Sequence, residues 1–209
     1  MACAICRTRR EKRHCPGIQG EICAICCGEQ REETISCPLT CEYLQAAHER
    51  ADHEIKDAAN LPNPDVTISR DFLRKHLEIL IPLQDSILSA ALDGNAVDYD
   101  VREALEGLVR TYRTLESGLY YESRPVNPMA AGVFDAVRDR VAEIRKAEDE
   151  RGMHKVRDSE ILKILIFLHQ MEYSLNNGRK RGRRFLSKLL NAMAHAPDPQ
   201  QDPASLLVS

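Results

Sequence analysis

The sequence predicts a mainly α-helical protein in which an N-terminal cysteine-rich module is followed by a five-helix bundle. All eight cysteines of the 209-residue chain lie in its first 41 positions, a stretch with little aliphatic content and no helical period. From about residue 68 onward, apolar residues recur three and four positions apart, the spacing of one helix face. The predicted divisions are the cysteine-rich module over 1–59, a linker over 60–67, the bundle over 68–196 and a disordered tail over 197–209.

Composition and charge narrow the classes of partner. Hydrophobic residues make up 43% of the chain and charged residues 29%, which is ordinary for a globular protein. The formal net charge of −3 gives no overall attraction to nucleic acid or to an anionic membrane, so such binding needs a local cationic patch. No apolar stretch approaches the roughly 20 residues of a membrane span, and no secretory signal follows Met1. We expect a cytoplasmic protein, or a nuclear one in a eukaryote, with no membrane contact.

The cysteines have the spacing of metal ligands. They form two C-x-x-C pairs, a Cys-Cys doublet and a final C-x-x-x-C, and in a reducing compartment such clusters favour metal over disulfides. Eight thiols fill two tetrahedral four-thiolate sites, the ligand set of structural zinc. Zinc binding contributes about 10–16 kcal/mol in finger-sized peptides, enough to order a segment without its own core. We therefore predict two structural Zn²⁺ ions, held by Cys3, Cys6, Cys15, Cys23, Cys26, Cys27, Cys37 and Cys41.

The doublet indicates how the thiols divide between the two sites. Adjacent residues in an extended or turn backbone project to opposite sides, so Cys26 and Cys27 serve neighbouring sites rather than the same one. One zinc is then held by Cys3, Cys6, Cys23 and Cys26. The other is held by Cys15, Cys27, Cys37 and Cys41. One alternative is a single zinc with some free thiols, a version of which has His14 in place of Cys15. Another is an iron–sulfur cluster or a redox dithiol.

This layout, in which paired knuckles interleave and a helix carries the last ligands, resembles the treble-clef and cross-brace zinc modules of the HIT and MYND types. The resemblance covers about 45 residues and concerns the superclass. Those modules usually have a C-x-x-C at the second pair and a histidine among the last ligands. Here Cys15 has no partner three residues on, and the last pair is Cys37-x-x-x-Cys41.

Helices are predicted in order along the rest of the chain. The first begins near Thr40 or Cys41 and ends before the Asn-Leu-Pro-Asn-Pro segment at 60–64. Five bundle helices follow. The first is capped by Ser69, kinked at Pro82 and ended at 93–94.

The second bundle helix is capped by Asp98, and the third begins at Asn127–Pro128, because proline suits the first helical position. The fourth begins at Asp158 or Ser159 and is apolar around most of its circumference, so we expect it at the centre of the bundle. The last, short helix presents apolar residues between 185 and 193 to the core.

A cationic segment lies just before this last helix. Arginine near a helix N-terminus favours phosphate, so one interpretation is an anion or nucleic-acid contact, and the other is a solvated loop between core helices. A second basic run, Arg7–Arg13, lies between the predicted zinc ligands. The candidate contact residues are Arg179, Lys180, Arg181, Arg183 and Arg184.

No catalytic residue is assigned. The chain has no phosphate-binding loop, no G-x-S-x-G and no dinucleotide fingerprint, and His169 on its apolar helix is typical of a core histidine. The sequence thus predicts a zinc-binding interaction or regulatory protein whose structural metal organises a protein-binding surface. The first alternative is a nucleic-acid-binding protein that uses the two basic segments. The second is a thiol redox switch or an enzyme.

Overall fold

The computed structural model describes residues 2–51, 61–152 and 156–194. Across these residues the chain is mainly helical, as predicted, with one small antiparallel sheet. None of the described helices combines the length and the apolar character that a membrane crossing requires. The elements are β1 (Arg13–Cys15), β2 (Gly20–Ile22), α1 (Ala24–Gln30), α2 (Glu42–Ala51), α3 (Arg70–Lys75), α4 (Leu77–Asp93), α5 (Asp98–Glu116), α6 (Pro128–Glu150), α7 (Asp158–Leu175) and α8 (Arg184–Ala194).

The cysteine-rich module contains more regular structure than its sequence indicates. β1 and β2 form a hairpin in which Arg13 pairs with Ile22 and Cys15 with Gly20. The short helix α1 follows at once, and the sulfur of Cys23 accepts the N–H of Cys26 at its start. No apolar periodicity in the sequence predicts α1, because cysteines instead of aliphatic residues occupy its inward positions.

Helix α5 lies between α6 and α7, and α4 packs on α6. Helix α7 runs antiparallel to α5, since Arg102 near the start of α5 pairs with Glu172 near the end of α7 at 2.7 Å. The predicted central position of α7 agrees with its burial, which includes Ile161, Leu162, Ile164, Leu165, Ile166 and Leu168. Helix α8 closes the bundle against α4, α5 and α7.

The bundle region has six described helices, so the predicted count of five is wrong. The break lies at His76, whose imidazole Nδ1 is 2.8 Å from the carbonyl of Phe72 and ends α3. Pro82, the predicted kink, lies inside α4. Its ring crowds the carbonyl of Glu78, four residues earlier, and because α4 starts at Leu77 that carbonyl lies in the first turn, where the strain is more easily relieved.

The helix starts show which local signals are decisive. Ser69 accepts the N–H of Phe72 at 3.1 Å, so the predicted cap is confirmed. The predicted helix start at Asn127–Pro128 is also confirmed, and there Asn127 accepts the N–H of Met129 at 3.1 Å. Asp98 is different. It is the first residue of α5 and is fully buried, and its carboxylate accepts the N–H groups of Phe185 and Leu186 at the start of α8. The residue predicted to cap its own helix therefore caps another one.

The segment that precedes the bundle contacts helices α5 and α7. The carbonyl of Pro62 accepts a hydrogen bond from Gln170 at 2.9 Å, and Asp65 pairs with Arg113 at 2.9 Å. The predicted end of the module helix near residue 59 and the predicted tail over 197–209 lie outside the described residues. The division into a module, a linker and a bundle at the stated boundaries stays a prediction.

Candidate metal centre

Four cysteine sulfurs come together at the N-terminus. The Sγ atoms of Cys3, Cys6, Cys23 and Cys26 all lie within 4.8 Å of one another. Cys6 is half-buried and the other three are buried. These are the four residues that the sequence assigns to one zinc, and the structure brings them together from two loops twenty residues apart in the chain.

Two identical Cys-Ala-Ile-Cys turns supply the four sulfurs, at 3–6 and 23–26. The first turn closes when the N–H of Arg7 donates to the carbonyl of Cys3 at 2.9 Å, with Arg7 at a positive φ of 56°. The second turn is the start of α1. The N–H of Ala4 donates to the carbonyl of Glu21 at 2.9 Å, which fastens the first turn to the hairpin.

Backbone and side-chain donors point at these sulfurs. The N–H of Cys23 lies 3.2 Å from the sulfur of Cys3, and the hydrogen bond of Arg9 to the Cys23 sulfur raises the pKa of that guanidinium. The Thr8 hydroxyl and nearby N–H groups lower the pKa of Cys6 to about 5, so its thiolate is favoured. Such donors stabilise the charged form of a thiol.

The four thiols cannot all ionise without a counter-charge. Burial, together with the neighbouring sulfurs of Cys23, Cys6 and Cys3, raises the pKa of Cys26 to about 12. A bound divalent cation reverses this, because a coordinating thiol is deprotonated outright. Four clustered sulfurs are a ligand set for zinc or for an iron–sulfur cluster, and a zinc held by all four would have no open position for substrate. The residues present therefore fit a structural metal ion.

The other four cysteines are not gathered in the same way. Within the described ranges, no second group of three or more histidine, cysteine, aspartate or glutamate ligands meets the 4.8 Å limit. Cys15, Cys27 and Cys37 are nevertheless buried, and Cys41 is half-buried. Burial raises the pKa of Cys37 to about 11, and the charges of Glu32, Cys15 and Cys41 add to this. Cys15 and Cys41 are thus electrostatic neighbours of Cys37.

Two guanidinium groups approach the sulfur of Cys27. Arg31 lies 3.5 Å from it and Arg13 lies 3.7 Å from it, and Arg13 also stacks over the ring of Tyr43 at 4.2 Å. Arg13 and Cys15 are two residues apart on β1, so their side chains leave the same face of the strand.

The alternative in which His14 replaces Cys15 is less well supported. His14 is exposed and its Nδ1 lies 3.1 Å from Glu21 on the paired strand, whereas Cys15 is buried. The alternation of a β-strand separates the two side chains onto opposite faces, and the buried face belongs to Cys15.

The module docks on the bundle through Glu32, which is 1% exposed. Its carboxylate oxygens lie 3.1 Å from Nε2 of His48 and accept hydrogen bonds from Asn177 at 2.7 Å and from the N–H of Arg183 at 2.7 Å. Its carbonyl accepts the N–H of Arg181 at 2.7 Å. Burial opposes ionisation of this carboxyl, but His48 and the N–H donors outweigh burial and lower its pKa.

Three of the five cations singled out in the sequence are buried or engaged inside the molecule. Arg179 donates to the carbonyl of Arg31 at 2.6 Å, and Arg183 donates to the carbonyl of Asn95 at 3.2 Å and to its side chain. Arg184 is buried. Lys180 and Arg181 are exposed. The segment is joined to the cysteine-rich module by the Arg179 side chain and by the backbone N–H groups of Arg181 and Arg183.

Sequence reasoning did not find the buried junction that Glu32, His48 and Asn177 form. Glu32 lies in a polar stretch with three other charged residues, Glu29, Arg31 and Glu33, and its partners are 16 and 145 positions away. Glu32 also has a positive φ of 54°, which no pattern in the sequence predicts. No known protein family, curated protein or solved structure matches this chain. The resemblance to HIT and MYND modules stays a prediction.

Proposed function

We propose that this chain is a zinc-binding interaction protein, in which Zn²⁺ orders the N-terminal module and the module presents a surface to a partner protein. The cluster of Cys3, Cys6, Cys23 and Cys26 sulfurs within 4.8 Å is the observation on which the proposal depends. A module with few aliphatic residues needs metal ligation to offset the entropy of ordering its chain.

The metal is structural in this proposal. Four cysteine ligands fill the coordination of zinc, whereas a catalytic zinc keeps a position for water or substrate. Residues around the cluster act on the sulfurs as donors, including the N–H of Cys23 and the guanidinium of Arg9. The metal would thus serve to hold two turns and a hairpin in one arrangement.

A second zinc at Cys15, Cys27, Cys37 and Cys41 belongs to the same proposal. The burial of three of these thiols, the electrostatic influence of Cys15 and Cys41 on Cys37, and the two arginines at Cys27 support it. A buried thiolate is costly unless it is paired or coordinates a metal. The second ion would be expected to draw these four sulfurs closer together.

A protein partner is favoured over nucleic acid by the way in which the cationic segment is used. Arg179 and Arg183 donate to protein carbonyls, and Arg184 is buried, so they are not available to phosphate in this arrangement. The fixed attachment of the module to the bundle through Glu32 is what a scaffold for a second protein requires.

Native mass spectrometry of the full chain tests the metal half of the proposal. We expect two zinc ions per chain, which accords with closed four-thiolate sites, and loss of N-terminal amide dispersion in NMR spectra after chelation. Less than one metal equivalent, or iron and sulfide in place of zinc, would contradict it. An N-terminal fold that survives exhaustive chelation would also contradict it.

A further inference from the structure

Three isoleucines of the cysteine-rich module face solvent. Ile5 is 37% exposed, Ile18 is 40% exposed and Ile25 is 49% exposed. Ile5 and Ile25 occupy the same position in the two Cys-Ala-Ile-Cys turns, and each directly precedes a cysteine of the four-sulfur cluster. A bound metal at that cluster would therefore hold these two side chains at a fixed separation.

Ile18 belongs to the same surface. A Cβ atom at Gly20 would lie 3.6 Å from the Cβ of Ala4 and 3.9 Å from the Cδ1 of Ile18, so these two side chains are neighbours across the glycine. Ala4 is exposed and adjoins Ile5 in the chain. The apolar surface thus runs from the hairpin turn onto the first metal-binding turn.

Exposed cations lie in the same part of the module, where Arg7 directly follows Cys6 and Arg10 forms a backbone bridge with Ala2. Arg7, Arg10 and Lys12 are exposed, and within the part of the chain that the structure describes none of their side chains has an ion-pair or hydrogen-bond partner. These three side chains are therefore available to carboxylates of another molecule.

A different part of the module contacts the bundle. The hydrogen bonds across the junction are accepted by the carbonyls of Gly28 and Arg31 and by Glu32, at the far end of α1 from Ile25. The docking therefore leaves the three isoleucines and the three cations exposed.

We propose that this surface, the knuckle face formed by Ile5, Ile18, Ile25, Arg7, Arg10 and Lys12, binds an acidic amphipathic segment of a partner protein. The isoleucines would bury the apolar side of the segment, and the three cations would complement its carboxylates. The phosphates of a nucleic acid would bind the cations but would leave the three aliphatic side chains without an apolar partner. The inference rests on the proposed zinc-ordered module and adds to it the partner class and the docking surface.

Selection from a phage library of random peptides of helical length, on the immobilised zinc-loaded full chain, tests the inference. We expect enriched peptides that combine several Asp or Glu residues with apolar residues at helical spacing. A labelled peptide of the enriched sequence should bind with a Kd that rises with salt, because the charges on the knuckle face are exposed.

Matched variants locate the binding. I5N/I25N should weaken the binding of the enriched peptide about tenfold or more, since central apolar contacts dominate such interfaces. The control I81N/L92N changes side chains that are 52% and 46% exposed on α4 and should leave the affinity unchanged. R7Q/R10Q/K12Q should weaken binding and flatten its salt dependence.

Other outcomes overturn the inference. These are an absence of enrichment, enriched peptides that lack acidic residues, and binding that is insensitive to I5N/I25N. Tighter binding of oligothymidylate or of phosphatidylserine vesicles than of any enriched peptide, unaffected by I5N/I25N, would assign the cations to a polyanion instead. The zinc content of the same sample separates the two proposals, because a zinc-loaded chain that selects nothing contradicts only the docking surface.

Discussion

The carboxylate of Glu32 accepts the backbone N–H of Arg183 at 2.7 Å, although 151 positions separate the two residues. The same carboxylate lies against His48 and Asn177, so one buried acid joins the cysteine-rich module, its helix α2 and the start of α8. The metal-binding part and the helical part of the molecule are therefore expected to unfold together.

Glu32→Ala should destabilise the protein by about 3 kcal/mol or more, because it leaves several buried donors without an acceptor. Urea denaturation of the zinc-loaded chain measures this. Glu33→Ala, on the neighbouring and less buried residue, is the control and should change the free energy of unfolding by less than about 0.5 kcal/mol. Equal effects of the two changes would show that Glu32 does not join the module to the bundle.

Cys26→Ser and Cys27→Ser should each remove one zinc ion from the chain, from two different sites. The two residues are adjacent, but Cys26 lies in the four-sulfur cluster and Cys27 lies beside Arg13 and Arg31. Native mass spectrometry of both variants gives the counts. A Cys27→Ser variant with an unchanged metal content would contradict the second site and leave the first one standing.

Gly107→Ala should destabilise the bundle by about 1–3 kcal/mol, the usual cost of overpacking. The new Cβ would lie 2.5 Å from the carbonyl oxygen of Ser123, which is backbone and cannot easily move. Gly132→Ala, in the neighbouring helix α6, meets no atom within 4 Å and should stabilise the protein by about 0.5–1 kcal/mol through helix propensity. Thermal denaturation compares the two variants, and a matching sign would contradict the close approach at Gly107.

His169→Gln should reduce the loss of stability in acid. Burial, with the charge of Arg102 beside it, lowers the pKa of His169 to about 4, whereas an unfolded chain binds that proton near pH 6.5. Between these values the unfolded state binds more protons, so the contribution of His169 is present above pH 6.5 and is lost as the pH falls toward 4. Between pH 6.5 and pH 4 the free energy of unfolding of the wild type should fall by up to about 3 kcal/mol more than that of the variant. Parallel stability curves in urea at each pH would contradict the neutral, buried histidine.

Arg183→Gln should cost about 1–3 kcal/mol, because the buried Arg183 side chain loses its hydrogen bonds to the carbonyl and the side chain of Asn95. The paired change K180Q/R181Q alters the two exposed cations of the same segment and should stay within about 0.5 kcal/mol of the wild type. If K180Q/R181Q instead abolished the binding of oligothymidylate by the native chain, the segment would have to be assigned to nucleic-acid contact.

Local chemistry could be predicted from the residues, and contacts between distant residues could not. Ser69 and Asn127 cap the helices that follow them, because a cap needs only a side-chain oxygen and an N–H two or three residues on. The four-sulfur set was predictable for a similar reason, since C-x-x-C spacing brings two sulfurs to one ion. The position of the helix break was not predictable, because Pro82 can be accommodated within α4 when His76 ends the preceding helix.

By itself the sequence determined that the N-terminal segment gathers thiols and that the remainder is built from apolar-faced helices, since spacing along the chain suffices for both. Only the tertiary structure decided that Asp98 caps α8 instead of its own helix, that Glu32 joins the module to the bundle, and that Arg179 and Arg183 face protein carbonyls. The physical reason is that a buried polar group takes whichever partner the packing brings within hydrogen-bond distance, and that partner has no fixed separation in the sequence.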